Sequence, residues 1–370
     1  MPQEKIANRQ LYFMLFLIRC NVAVALLPVL TTADALQDAW ISAIVQFFPA
    51  LLLLLFFGSL GQRFVGLTVA QYSEKLLGRW AGKGVALVIA WAFLHMAAVE
   101  VRAYADMLIT AFLPDTPLVF LIGAMVIASA TAAHAGIEVI ARAADLLFPV
   151  YLLMIISSLL IPLPQLQGFL VNLEPVLARG AGPVLRGAAT PALFTVQYLV
   201  LTVLAPTVNE PKRALRTAIW ALVGATVILI PVAVITVAIL GPQLGTRAAF
   251  PFFSMVRVIA ISEFFERIEA LAVFAWGLGL FIELAVYLYC GGRALSQILG
   301  MPDYRPLILP MAVIWTAFGS HVTRNMFQLM DFFKPHFFVP YALALVVVPF
   351  GLLWMAYLLR RLLRGRSGAS

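Results

Sequence analysis

The chain has 370 residues, of which 63% are apolar and 11% charged, whereas soluble globular chains are roughly 45–50% apolar and about 25% charged. This composition excludes a soluble enzyme, a nucleic-acid-binding protein and a disulfide-stabilised scaffold, and the net charge of +8 fits basic residues collected in cytoplasmic loops. The apolar residues form runs of about twenty, enough to cross a hydrocarbon core of roughly 30 Å. We therefore expect an all-α, polytopic membrane protein embedded in the lipid bilayer.

Ten apolar segments, separated by charged or Pro/Gly-containing stretches, are predicted to be transmembrane helices. They lie near 10–31, 40–60, 83–113, 117–135, 144–163, 188–206, 214–240, 264–297, 306–322 and 337–359. We expect a single transmembrane domain over residues 1–366 and a disordered tail at 367–370. The semi-polar stretch 241–262 is predicted to be an outer loop with a short helix of its own.

The basic residues predict the orientation of these helices. If the N-terminus is cytoplasmic, sixteen Lys and Arg residues lie in inner loops or termini and six in outer loops. This bias predicts that both termini are cytoplasmic. An even number of helices in this orientation also allows two five-helix halves of opposite orientation, as in many secondary transporters.

The first helix carries Arg19 and Asn21 near its middle, where polar side chains are costly. One interpretation is structural: Arg19 reaches the interface or forms an ion pair, and Asn21 hydrogen-bonds to another helix. The other is functional: the helix unwinds at Asn21-Val22-Ala23 and presents backbone N–H groups to an anionic ligand group.

The third helix carries Glu100, Arg102 and Asp106. Arg102 and Asp106 are four residues apart and share a helix face, which predicts an ion pair. Glu100 points elsewhere and needs another partner. That partner is either Arg19 or the ammonium group of a substrate.

Polar residues also interrupt the sixth and eighth helices. In the sixth helix Gln197 and Tyr198, which follow Phe194, indicate either a lined cavity or single hydrogen bonds between helices. In the eighth helix, Glu283 must face protein or water, and Tyr287 lies on the same face one turn later. The earlier group Glu263, Glu266 and Arg267 predicts a structural or gating ion pair near the outer interface.

No pattern in the chain indicates an enzyme. Cys20 and Cys290 lie in apolar segments and fit packing roles, and the four histidines are scattered singly. HExxH, CxxC, GxSxG and P-loop spacings do not occur. We expect no catalytic residues, no cofactor and no metal site, and no nucleic-acid partner.

Several stretches, in order along the chain, resemble the spore germination permease family. They are Leu27-Pro28-Val29-Leu30-Thr31-Thr32, Asp38-Ala39-Trp40-Ile41, Glu100-Val101-Arg102-Ala103, Leu147-Phe148-Pro149-Val150-Tyr151, Pro206-Thr207-Val208-Asn209, and Phe265-Glu266-Arg267-Ile268-Glu269-Ala270 with Trp276. This family comprises the membrane B subunits of bacterial nutrient germinant receptors and belongs to the amino acid–polyamine–organocation superfamily. The chain has Asn21 and Ala23 where relatives tend to have glycine, and Gln197 where many have an acidic residue.

The resemblance implies a five-plus-five inverted-repeat fold with broken helices 1 and 6. It also implies an amino-acid site between helices 1, 3, 6 and 8, and a germinant-sensing role beside A and C subunits in the spore inner membrane. The residues expected to contact a small amino acid or similar nutrient are Asn21, Val22, Ala23, Glu100, Phe194, Gln197, Tyr198, Glu283 and Tyr287. Its carboxylate is expected at the helix-1 break and its ammonium near carbonyl groups of helix 6, with Gln197 or Glu100 nearby.

The alternative function is an amino-acid permease, facilitative or proton-linked. Between Ala270 and Gly292 the eighth helix has no Ser or Thr to complete a sodium cage, and the fifth helix has no Lys. The chain thus lacks the usual devices for coupling transport to an ion, which favours a receptor. Glu100 or Glu283 relaying protons would favour the permease.

Overall fold

The computed structural model describes residues 4–258 and 269–367, with side chains throughout except those of Val22, Gln165 and residues 364–367. Within these ranges the secondary structure is helical, apart from one isolated β-bridge between Ile6 and Val208. The α-helices are α1 (Asn8–Ala35), α2 (Ala39–Val45), α3 (Phe47–Gln62), α4 (Val69–Leu77), α5 (Arg79–Ala111), α6 (Leu118–Ala135), α7 (Ile137–Leu160), α8 (Leu163–Leu166), α9 (Ala181–Leu193), α10 (Leu201–Leu204), α11 (Ala214–Arg247), α12 (Pro251–Val258), α13 (Glu269–Leu299), α14 (Arg305–His321), α15 (Met326–Phe332) and α16 (Pro335–Ser367).

Eight helical stretches in the described ranges are long and apolar enough to cross a membrane, or nine if α14 and α15, which meet at a bend of 102°, form one span. This count takes Ala23–Gln62 as a single stretch of 40 residues. A straight helix of that length would measure about 60 Å, twice the hydrocarbon core. Leu36, with a φ of 52°, ends α1 and turns the chain into α2 and α3. Described helices overlap each of the ten predicted segments, and the first residues of the eighth, 264–268, lie outside the described part of the chain.

The break predicted at Asn21–Ala23 is wrong, because α1 is a continuous α-helix from Asn8 to Ala35. The segment contains no glycine, and alanine is the residue that best favours a helix. Pro28 removes one backbone N–H without ending the helix. The N–H groups at positions 21–23 are consequently used inside the helix and are not free to bind a carboxylate.

The discontinuity expected in the sixth helix is present and lies in the middle of that helix. After α9 the backbone changes to a 3-10 helix over Phe194–Val200, which we call the 3-10 segment. Pro191 lacks an N–H, and the Thr195 hydroxyl donates to the carbonyl oxygen three residues earlier at 2.8 Å. Both features weaken a regular α-helix. Gln197 and Tyr198, which are buried, lie in this irregular stretch.

Glycines set two further helix boundaries. Gly136, with a φ of 110°, separates α6 from α7, and α7 starts seven residues before its predicted position. Its first turns are polar, with Glu138 and Arg142 paired at 3.6 Å, so the helix extends beyond the apolar run. Gly241, with a φ of 72°, bends the chain inside α11 at the predicted end of the seventh span. The short helix expected within 241–262 is α12.

Helices α1 and α13 lie at the centre of the bundle. α1 packs against α11, α13 and α9, while α13 also packs against α5, α7 and α6. Every side chain of α13 from Ile282 to Cys290 is buried, so the helix has no lipid-facing side over this stretch. Polar groups here must find partners within the protein.

Candidate functional site

Five of the predicted site residues form one hydrogen-bonded group, which we call the acidic cluster. They come from four elements: Asn21 from α1, Glu100 from α5, Gln197 from the 3-10 segment, and Glu283 and Tyr287 from α13. None is more than 1% exposed. The helices implied by the sequence resemblance therefore do meet at these residues.

Glu283 accepts most of the hydrogen bonds in the acidic cluster. Gln197 Nε2 donates to Glu283 Oε1 at 3.0 Å and to Glu100 Oε1 at 2.8 Å. The Tyr287 hydroxyl donates to Glu283 Oε1 at 3.0 Å, and Asn21 Nδ2 donates to Glu283 Oε2 at 2.6 Å. The Gln197 amide therefore bridges two carboxyl groups.

The local geometry of α13 explains how these groups reach one another. Tyr287 follows Glu283 by one helical turn, so their side chains share a face. Gly279 precedes Glu283 by one turn, and a Cβ atom at this position would lie 2.8 Å from Asn21 Oδ1. The absence of a side chain at Gly279 allows Asn21 to approach α13.

The acidic cluster has more hydrogen-bond acceptors than donors. The carboxyl groups of Glu100 and Glu283 contact each other, and across the described residues neither forms an ion pair with Lys, Arg or His. Glu100 Oε2, Asn21 Oδ1 and Gln197 Oε1 have no hydrogen-bond partner in the protein. Buried carboxyl groups are costly unless they are paired. This arrangement suits a cationic group, which would satisfy the unused oxygens.

Three of the predicted contact residues with described side chains are not part of this cluster. The Phe194 ring packs edge-on against Phe333 and Phe338, and the Tyr198 hydroxyl has no hydrogen-bond partner. Ala23 is buried within continuous α1, and the side chain of Val22 is outside the described part of the structure.

The predicted ion pair between Arg102 and Asp106 is present. Arg102 Nε lies 3.0 Å from both carboxylate oxygens of Asp106. Arg102 Nη1 also donates to the carbonyl oxygens of Ser320, at 3.2 Å, and Thr323. Arg102 thus ties α5 to the end of α14 and to the residues just after it.

Arg19 forms no ion pair with any described acidic residue, which rules out the first of the two alternatives for Glu100, a pair with Arg19. Its Nη2 donates instead to Gln46 Oε1 and to the carbonyl oxygen of Pro191. Glu100 finds Gln197 and Glu283 because α5 packs more extensively on α13 than on α1. Sequence reasoning missed Gln46, although a lone Gln within the apolar run 40–60 was a usable signal.

The predicted ion-pair residues Glu263, Glu266 and Arg267 lie outside the described residues. Within the described ranges, no group of three or more His, Cys, Asp or Glu residues could hold a metal ion.

The fold is that of a membrane transporter, and three solved structures share it. MhsT in complex with L-phenylalanine is 16% identical with a TM-score of 0.66, covering 97% of this chain and 99% of that one. MHP1, a nucleobase-cation-symport-1 family transporter, is 14% identical with a TM-score of 0.67, covering 94% and 78%. A manganese transporter mutant from Eremococcus coleocola is 13% identical with a TM-score of 0.60, covering 94% and 82%. These identities define the class of fold and no ligand.

Comparison of sequences places the chain in a narrower group than the shared fold does. The model of the spore germination protein family, a family of spore permeases, matches residues 5–327, so the chain belongs to this family. Spore germination protein KB of Bacillus subtilis (strain 168) is 26% identical over 339 residues, covering 88% of this chain and 89% of that one. Spore germination protein YndE of the same organism is 24% identical over 299 residues, covering 80% and 82%. The chain is a germination-related, multi-pass membrane protein.

Proposed function

We propose that this chain is the membrane subunit of a spore nutrient germinant receptor that binds a small amino acid at the acidic cluster. The observation that carries the proposal is the excess of buried acceptor oxygens around Glu100 and Glu283, which have no described cationic partner. A primary ammonium group supplies three N–H donors and one positive charge. It therefore matches the three unused oxygens in number and is opposite in charge to the carboxylates.

The ligand's ammonium group would lie between Glu100, Gln197 and Asn21. The continuous α1 leaves no free N–H groups for a carboxylate at positions 21–23, so the ammonium end is the one that this cluster recognises. Tyr287, whose ring stacks on Phe93 with centroids 5.6 Å apart, would bound the pocket on one side.

The signal would travel through the 3-10 segment. Gln197 contacts both carboxyl groups, so a ligand that displaces either bond acts directly on the irregular part of the sixth helix. Two packings of this segment against α13 would then differ in ligand affinity. A and C receptor subunits in the spore inner membrane would respond to that shift, with both termini of this chain in the cytoplasm.

The test uses spores in which this chain belongs to the only nutrient receptor. Each of the twenty standard L-amino acids is applied singly, and germination is followed by the fall in optical density. Glu100→Gln removes a charge at unchanged size, and we expect it to raise the half-maximal concentration of the active amino acid at least tenfold. That is about 1.4 kcal/mol, within the range for a hydrogen bond to a charged group.

The matched control is Asp106→Asn on the same helix. Asp106 contacts Arg102 and lies outside the acidic cluster. At equal protein levels, this variant should keep the wild-type dose–response. Identical curves for wild type and Glu100→Gln would remove the acidic cluster as the nutrient site.

The second candidate is an amino-acid permease, facilitative or proton-linked. It is favoured by the contacting carboxyl groups of Glu100 and Glu283, since such a pair is able to take up and release a proton. Purified protein in liposomes should show no uptake of the active amino acid, labelled with ¹⁴C, under an imposed proton gradient. Uptake that is lost in Glu283→Gln would establish the permease instead.

A further inference from the structure

Arg19 is a fully buried cation whose surroundings contain no acid. It is 0% exposed, and in the described structure no carboxylate lies within ion-pair distance of it. A guanidinium carries five N–H donors. Nη2 uses its two on Gln46 and Pro191, whereas Nε and Nη1 have no partner. Three N–H donors thus remain unused in the protein interior.

Two buried polar groups close to Arg19 also have unused atoms. Gln46 Nε2 and the Tyr198 hydroxyl have no hydrogen-bond partner, and Tyr198 is close enough to Arg19 to interact with it electrostatically. Both groups can donate a hydrogen bond, as can the unused N–H groups of Arg19. Such a set suits an anion, because an acceptor with negative charge satisfies both the donors and the buried positive charge.

Arg102 shows how this chain buries an arginine when the role is structural. Arg102 is 4% exposed, and it has a carboxylate partner in Asp106 and two carbonyl acceptors. Arg19 is buried more deeply and has one amide and one carbonyl acceptor. Arg19 therefore differs from Arg102 in having no acidic partner. A bound anion would supply the missing negative charge.

We propose that Arg19, Gln46 and Tyr198 form an anion site that takes a small carboxylate and is separate from the acidic cluster. Arg19 and Asn21 are two residues apart on the continuous helix α1, so their side chains point to different sides of that helix. The proposal therefore goes beyond the proposed function and does not depend on it. Since Arg19 is fully enclosed, the anion would enter only when one of the surrounding helices moves.

The test measures binding of a simple carboxylate without an amino group. Thermal unfolding of the purified full chain in lipid nanodiscs is followed in rising sodium acetate, with sodium isethionate keeping the ionic strength constant and sodium chloride as a parallel series. We expect a saturable rise of the unfolding midpoint in acetate for the wild type. Arg19→Gln should abolish it, and Tyr198→Phe, which removes only the hydroxyl, should raise the half-saturating acetate concentration at least threefold.

A second variant keeps the arginine in place. Gln46→Glu puts a carboxylate of similar size beside the guanidinium, so it should abolish the acetate response while the protein remains folded. Glu100→Gln is the matched control, because it alters the acidic cluster and should leave the acetate response unchanged. If acetate acts on Glu100→Gln as on wild type but no amino acid triggers germination, the proposed function fails and the anion site stands.

Two outcomes would overturn this anion site. An equal acetate response in Arg19→Gln and wild type would place acetate elsewhere. A response of the wild type to chloride but not to acetate would show that the occupant is an inorganic anion and reject a carboxylate as the occupant.

Discussion

Helix α5 carries buried charges in two different settings within two turns. Arg102 and Asp106 neutralise each other, and the carbonyls of Ser320 and Thr323 satisfy the guanidinium further. Glu100 contacts a second carboxyl group, and one of its oxygens has no partner. The helix therefore contains one self-sufficient pair and one group that depends on something outside the protein.

The physical difference lies in where each charge finds its partner. An i,i+4 pair forms whenever the helix forms, and it survives with any packing that keeps the helix buried. Glu100 has no complementary charge within reach on its own helix, so its environment depends on α13 and the 3-10 segment. Completed pairs hold the bundle together, and incomplete ones are the places where a ligand gains binding energy.

The largest expected effect comes from breaking the completed pair. Arg102→Ala leaves the Asp106 carboxylate and the carbonyl oxygen of Thr323 without their donor. Removing one partner of a buried pair costs about 3–5 kcal/mol. We expect much less folded protein in the membrane, measured by immunoblot and by fluorescence-detected size-exclusion chromatography.

The nutrient dependence of the protein that still folds distinguishes the Arg102–Asp106 pair from the acidic cluster. The small folded fraction of Arg102→Ala should respond at the wild-type nutrient concentration. Normal protein levels in Arg102→Ala would contradict the structural role of the pair.

A smaller effect is expected from crowding the acidic cluster without changing any charge. Gly279→Ala introduces a Cβ atom 2.8 Å from Asn21 Oδ1, which would push the amide away from Glu283. Overpacking of this kind costs about 1–3 kcal/mol. We expect a modest fall in the unfolding midpoint and a several-fold weaker nutrient response.

Gly292→Ala on the same helix is the comparison for Gly279→Ala. A Cβ atom there would lie 3.1 Å from the end of the Ile308 side chain, far along α13 from Glu283. It should cost some stability and leave the nutrient response unchanged. A weaker nutrient response in Gly292→Ala but not in Gly279→Ala would mean that Asn21 has no part in the site.

Much of the candidate site could be predicted from residue type and spacing. Glu283 and Tyr287 were placed on one face by their four-residue separation, and they are hydrogen-bonded. Glu100 was expected to need a partner, either Arg19 or the ammonium group of a substrate, and its hydrogen-bond donor in the protein is Gln197. The identity of that partner could not be predicted, because Arg19 and Gln197 are both polar residues in the middle of apolar helices and nothing local distinguishes them.

The helix breaks also divide into features that local sequence predicts and features that depend on packing. Continuous α1 follows from its lack of glycine, a local property that outweighed the expectation drawn from the family. The 3-10 segment follows less directly from Pro191 and Thr195, since proline is tolerated within α1 at Pro28 and within α7 at Pro149. Packing decides which proline-containing helix becomes irregular.

The sequence by itself determined the membrane location, helices overlapping each of the ten predicted segments, and the pairing of Arg102 with Asp106. Hydropathy and helix geometry act over a few turns, so these features are readable from neighbouring residues. Only the tertiary structure decided that Gln197 bridges Glu100 and Glu283, and that Arg19 lies apart from them beside Gln46. Those contacts join residues 86 to 97 positions apart in one case and 27 in the other, and they depend on which helices pack together.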